Sequence, residues 1–273
     1  MENIDMTKTI DGSVSSMLTA GGILLLSAII VMTVVIIKRW HGRFIPMLLG
    51  AISYAIFVFI FTNFVMSALI LIPTFDMAFE NNPTVYSVIY CVMGAIGLTV
   101  ARVLVAFMLK DRYERQGDVM LGGIGIGLGD AFLYGMTALS YVVMAMGVTS
   151  QGMESLFAGM ATEEIVSTYE TMEALFTTPS PVWLVYGLNA VLDVVLCISL
   201  MIVVYGCVAK KLPAVWLFFS GLAQFFIAIP LQVVESTSLT VVLLAFLVKV
   251  VMFAAVEWYV HKILAVQVVY NEN

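Results

Sequence analysis

Charge is scarce in this chain, with only 11% of its 273 residues being Asp, Glu, Lys or Arg against 62% hydrophobic. A surface so poor in charge does not keep a protein of this size in water, so an ordinary soluble domain is excluded and the bilayer becomes the solvent. Period-two alternation is missing as well. Apolar runs of twenty or more residues therefore select helices, which satisfy their own backbone groups in hydrocarbon, over a closed barrel. Cysteine is rare, and Cys91, Cys197 and Cys207 lie inside apolar runs without paired spacing. That excludes a disulfide framework or zinc knuckle and makes them small packing residues. Histidine is rarer still. His41 sits in a basic turn and His261 beside Lys262, so neither a metal site nor another cofactor is expected. Basic residues number 12 against 18 acidic ones, a net charge of −6. Phosphate binding needs the opposite sign, so no nucleic-acid partner is expected.

What the chain does have is an all-α, polytopic pattern: a single membrane domain over residues 1–273. Spans are expected at roughly 17–37, 45–70, 84–109, 119–147, 182–208, 214–234 and 239–261, about seven in all. A polar, acidic leader over 1–16 lacks a basic region and a small-residue cleavage site, so the first span is expected to be retained. Lys38, Arg39, Arg43, Lys110, Arg112, Arg115, Lys210, Lys211 and Lys262 fall on one side of this arrangement and only Lys8 on the other. Lys and Arg are held back on the cytoplasmic side during insertion, which predicts a bacterial inner-membrane protein with its N-terminus outside and its C-terminus in the cytoplasm. Trp40, Trp183, Trp216 and Trp258 stand close to span ends, as interfacial aromatics do. The acidic stretch 150–181 repeats apolar residues at helical spacing, as in Met153, Leu156, Phe157 and Met160, then Ile165, Tyr169, Met172, Leu175 and Phe176. One or two amphipathic helices on the outer surface are expected there, as a headgroup-resting loop or as a lid.

Five ionisable residues fall inside the expected spans: Arg102, Asp130, Asp193, Lys249 and Glu257. Each costs at least about 2.5–3.5 kcal/mol on insertion scales, so each needs a partner, a water-filled cavity or a purpose. Counting residues from the basic ends puts Arg102 and Asp130 within about two turns of one another and predicts that they pair. A looser pair of Asp193 with Lys249 is expected near mid-membrane, with Glu257 reaching toward the interface. The fourth span opens Leu-Gly-Gly-Ile-Gly-Ile-Gly-Leu-Gly-Asp, crowding Gly122, Gly123, Gly125, Gly127 and Gly129 into about two turns. Missing side chains let neighbouring backbones approach and expose carbonyls to a cavity. No strand precedes these glycines, so they are not a dinucleotide fingerprint.

Several of these segments resemble YhfC-type membrane proteins, classed with glutamic intramembrane peptidases related to the prenyl-protein (CAAX) and bacteriocin-processing proteases. Lys38 to Phe57, with Phe44-Ile-Pro46 and Leu49-Gly50-Ala51, resembles that family's first loop and second helix. Thr99 to Arg102 resembles its Glu-Glu-x-x-Arg-like segment, and Gly123 to Asp130 its Gly-x-Gly-His-Gly-x-x-Glu segment. The departures fall on the chemistry. Leu98 and Thr99 stand where the family's paired glutamates would, Ile126 replaces the histidine and Asp130 the glutamate. In the stretch Leu222 to Pro230, which resembles a further histidine and aspartate helix, Gln224 and Ala228 occupy those places.

Peptide hydrolysis needs a base to activate water and a donor set or metal for the oxyanion. The resemblance therefore implies a peptidase scaffold whose catalytic motifs are degraded. It would hold a membrane-embedded peptide or lipid through Gly123, Gly125, Gly127, Gly129, Gln224, Asp193 and Lys249. Two alternatives stay open: an active endopeptidase using Asp130 as base with Arg102 or Gln224 as helper, and a transporter or transporter subunit built around Asp193 and Lys249.

Overall fold

The computed structural model describes residues 7–234, 238–264 and 268, with 263 and 264 described by backbone alone. The first six residues of the leader and the terminal residues 269–273 lie outside the described residues. Among those described there is no strand, and seven helices are long and apolar enough to cross a membrane. They are α1 (Gly12–Trp40), α2 (Phe44–Ile70), α3 (Pro83–Leu109), α4 (Gln116–Gln151), α5 (Ser180–Val208), α6 (Val215–Gln232) and α7 (Leu239–Lys262). Large apolar side chains face outward, including Phe64, Phe132, Leu244 and Val251, while Arg102, Asp118, Gln224 and Lys249 are buried. Such a distribution suits a hydrocarbon solvent, where the bundle interior is the only place for polar groups. The chain is a multi-pass membrane protein.

Local chemistry sets the helix ends. The Asp11 side chain caps α1 by accepting from the Ser13 amide at 2.9 Å, which holds the Asp11 carboxyl below its ordinary pKa. At the other end Lys38 and Arg39 occupy the last turn, favourable beside the carbonyl end of a helix, and His41 stops it in a left-handed conformation, φ 52°. Pro73 and Pro83 each stand in the first turn of a helix, where a missing N–H costs nothing. Between α4 and α5, short helices at Met153–Leu156 and Thr162–Thr177 bury Met153, Ile165, Met172 and Leu175, and Phe157 between them is buried as well. They join Ile10, Val14 and Leu18 of the N-terminal segment in one apolar cluster, so this acidic stretch docks on the bundle. Lys8 lies over the rings of Tyr169 and Phe176, 5.5 and 5.4 Å from their centroids.

α5 is the axis of the bundle. It packs against α1, α3, α4, α6 and α7, and 67% of its most apolar window is buried, against 11% for α7. α4 is wedged among α1, α2 and α5, and its glycine-rich first half is buried on every side. A methyl group added to Gly125 would run into the Met47 carbonyl of α2, and one on Gly50 into the Gly122 carbonyl. On the opposite face, a methyl on Gly123 would lie 2.6 Å from the Ile198 Cα and one on Gly127 3.0 Å from the Val194 Cα, both on α5. The absent side chains let three backbones meet.

α2 widens midway, where Ala55–Ile60 form a π-helical segment. Its Phe57 carbonyl sits against Gly97 of α3, so this wide turn is accommodated by another missing side chain. At the basic end, Arg43 folds onto Asp118, the fully buried third residue of α4, in its first turn. The Asp118 carboxylate accepts from the Arg43 backbone amide at 2.8 Å and from its guanidinium at 2.5 Å, and the guanidinium stacks on Tyr113.

These contacts predict two stability effects in detergent. Gly125→Ala is expected to lower the thermal midpoint, with overpacking costing about 1–3 kcal/mol. Gly135→Ala, where a methyl meets nothing within 4 Å, should raise it slightly, because Ala is the better helix former by about 1 kcal/mol. Arg43→Ala strands a buried carboxylate and should cost about 1–3 kcal/mol, whereas Arg39→Ala should fall within about 0.5 kcal/mol of wild type. A midpoint for Gly125→Ala at or above wild type would remove the close-approach account of α4.

Candidate functional site

Depth along each helix sorts the buried polar groups into two layers. At 1.5 Å per residue from the basic end, Asp130 lies about 21 Å up α4, Asp193 about 22 Å up α5 and Lys249 about 20 Å up α7. Arg102 lies only about 10 Å up α3, and Gln224 about 14 Å up α6.

In the deeper layer Lys249 donates to Asp193 Oδ1 at 2.7 Å, forming the expected pair. The other oxygen, Oδ2, accepts from Asn189 Nδ2 at 3.0 Å, one helical turn away on α5. Asp193 is therefore engaged on both sides. Asp130 is held differently: its Oδ1 accepts from the Tyr54 hydroxyl of α2, its one hydrogen-bond partner among the described residues. This contact depends on Gly129, since a methyl there would fall within the Tyr54 ring.

The predicted pairing of Arg102 with Asp130 does not form. Arg102 is fully buried and donates from Nη2 to Gln224 Oε1 at 2.6 Å and to Cys197 Sγ at 3.5 Å. The depth difference of about 10 Å explains the change, because Gln224 is nearly level with the arginine and Asp130 is not. Nε and Nη1 of Arg102 have no hydrogen-bond partner among the described residues. Cys197, expected only to pack, also supplies a weak acceptor. Glu257 does not reach freely to the interface either. It accepts from the Ser199 hydroxyl at 2.6 Å and from His261 Nε2 at 3.1 Å, which keeps its carboxylate mostly covered.

A chamber of about 310 Å³ brings the deeper layer together. Asp130, Asp193, Asn189, Gln224 and Gln232 line it together with the phenols of Tyr54, Tyr90, Tyr134 and Tyr186, and Leu98 and Ala228 are also in its wall. Arg102, Lys249 and the four α4 glycines stand outside the wall, the cations behind Gln224 and Asp193 and the glycines in the helix contacts described above. Tyr54, Tyr90, Tyr186 and Asn189 carried no strong sequence signal, although Asn189 and Asp193 stand at the i, i+4 spacing that puts them on one face. A separate apolar groove of about 640 Å³ runs between α3 and α6, lined by residues such as Ile96, Val100, Phe218, Leu222 and Phe225. The two share the wall residue Ala95. Thr99 lies in this groove, its hydroxyl donating to the Ala95 carbonyl at 2.8 Å.

Comparison with curated proteins and with solved structures finds no match. A family model does match, over residues 23–252, and is described as YhfC intramembrane metalloprotease. The residues present do not fit the metal that this description implies. Catalytic zinc takes three protein donors, and no group of three or more His, Cys, Asp or Glu with metal-binding geometry occurs among the described residues. Of the two chamber carboxylates, one already carries the Lys249 ammonium. Both histidines stand elsewhere, His41 ending α1 and His261 on Glu257. The match nonetheless runs from α1 to α7 and takes in every chamber residue. On that span the chain belongs to the YhfC intramembrane metalloprotease family.

Proposed function

We propose that this chain keeps the family's scaffold without its hydrolytic chemistry, and uses the bundle to bind a membrane-embedded peptide or lipid. The observation that carries the reading is the state of the residues at the motif positions. Leu98 offers no proton acceptor to the chamber, and the Thr99 hydroxyl is committed to its own helix. Ile126 is fully buried in apolar contacts. Asp130 is then the one motif carboxylate left, with no histidine beside it and with Arg102 a layer away on Gln224. A lone carboxylate with neither a metal nor a histidine beside it to activate water supplies half of the chemistry. Binding asks less: the groove between α3 and α6 offers apolar side chains at the lipid-facing surface, next to a polar chamber.

Purified protein in lipid should release no fragment from prenylated or leader-peptide substrates under conditions where an active family member cleaves them. A photoreactive side chain at Leu222 should crosslink the bound peptide or lipid. Cleavage by wild type that disappears in Asp130→Ala would establish the peptidase reading instead, and uptake or proton flux in proteoliposomes would favour the transporter reading.

The basic end of the bundle is further proposed to face the cytoplasm of a bacterial inner membrane, from the distribution of Lys and Arg. In intact cells a membrane-impermeant maleimide should label a cysteine at the exposed Asn81 and leave one at the exposed Asp111, in the turn between α3 and α4, unlabelled. The reverse pattern would invert the orientation.

A further inference from the structure

We propose that the chamber binds a primary ammonium group. The inference rests on the reading of the bundle as a binding site and names the chemistry of what enters it.

The argument begins with which charges in the chamber are already answered. Lys249 and Asn189 occupy both oxygens of Asp193, so that carboxylate is neutralised by its own pair. Asp130 has only the Tyr54 hydroxyl, on one oxygen, and makes no ion pair among the described residues. Its remaining oxygen is a charged acceptor in the chamber wall. Asn189 adds a second acceptor: its Nδ2 is fixed on Asp193, which leaves Oδ1 buried with no partner among the described residues. A ligand that satisfies both must carry a positive charge and N–H donors together. A metal ion is a poor fit for reasons already given, an anion has the wrong sign for Asp130, and a quaternary ammonium has no hydrogen to give Asn189.

The rest of the wall suits the same group. Four phenol rings line the chamber, and aromatic faces attract ammonium ions. Gln224 is 6% exposed, and because Arg102 holds its Oε1, its amide N–H₂ is the part left for the chamber. That donor suits an oxygen adjacent to the ammonium, such as an alcohol, ester or phosphate. The chamber also reaches the end from which a cation would come. Tyr186 and Tyr90 lie about 9–10 Å from the acidic ends of α5 and α3, and Gln232 is the last residue of α6. That end carries Asp76, Glu80 and five glutamates between Glu154 and Glu173, against Lys8, a field that concentrates cations.

The shared chemistry belongs to a free small amine and to an aminoalkyl lipid head group. The test uses the full chain in phosphatidylcholine nanodiscs, titrated with hexylamine, hexanol and hexyltrimethylammonium, with binding read from the thermal midpoint. Hexylamine should give a saturable rise, at half-saturating concentrations about tenfold below those of the other two. Asp130→Asn and, independently, Asn189→Leu should each remove about tenfold of that preference, while Ser140→Ala, on the exposed face of α4, leaves it intact. If one variant fails to fold, the other still decides. Replacing part of the phosphatidylcholine by phosphatidylethanolamine separates the sources: suppression of the hexylamine response marks the lipid head group as the occupant, and an unchanged response marks the free amine. Equal responses to hexylamine and hexanol, or a preference unchanged in both variants, overturn the ammonium assignment while leaving amphiphile binding in place. No response to any of the three, together with no crosslink at Leu222, would remove both.

Discussion

The close approach of α4 to α2 and α5 governs everything else in this bundle. It depends on side chains that are not there: Gly125 and Gly50 bring two backbones into contact on one face, and Gly123 and Gly127 do the same against α5 on the other. In hydrocarbon there is little hydrophobic drive between helices, so such packing is what association relies on. The same stripe ends at Gly129, whose missing side chain admits the Tyr54 ring and so gives Asp130 its partner. One row of small residues thus links the packing of the scaffold to the chemistry of the chamber.

Charge placement follows from that geometry. A lone charge in the membrane is costly, and the bundle meets the cost by levels. Asp193 and Lys249 are level and pair directly. Arg102 and Asp130 have opposite signs but differ in depth, and each settles with a neutral neighbour at its own height, Gln224 and Tyr54. Their charges balance across the interior without contact. That arrangement leaves an acceptor facing the chamber at one level and unpartnered guanidinium N–H groups at the other, which is an interior still able to respond to a polar ligand.

The spans were legible in the sequence because an apolar run of membrane length has few other uses, and the Asp193–Lys249 pair because depth and sign together left little choice. Helix ends were less so. α4 runs from Gln116 to Gln151 rather than over 119–147, since its polar ends are helical without being apolar. Residue counting yields height along an axis but not direction around it. Arg102 and Asp130 differ by about 10 Å in height, and height alone does not reveal that the nearly level Gln224 of α6 is turned toward the arginine. Tyr54 was hidden for a related reason: it directly precedes a π-helical segment, and nothing in Ala55 to Ile60 announces that wider turn.

The family's scaffold and its chemistry place different demands on the same helix. Gly123, Gly125, Gly127 and Gly129 are held by contacts that any substitution would break, whatever the chamber does. Ile126, between two of these glycines, is instead fully buried in the apolar cluster that α4 shares with α2, α3 and α5. A polar ring there would need partners that Met201 and Val105 in the same cluster do not offer. A histidine at position 126 would therefore cost stability. The glycines of the motif thus serve as architecture through which helices pack, while Asp130 at its end lines the chamber beside Tyr54 and Asn189.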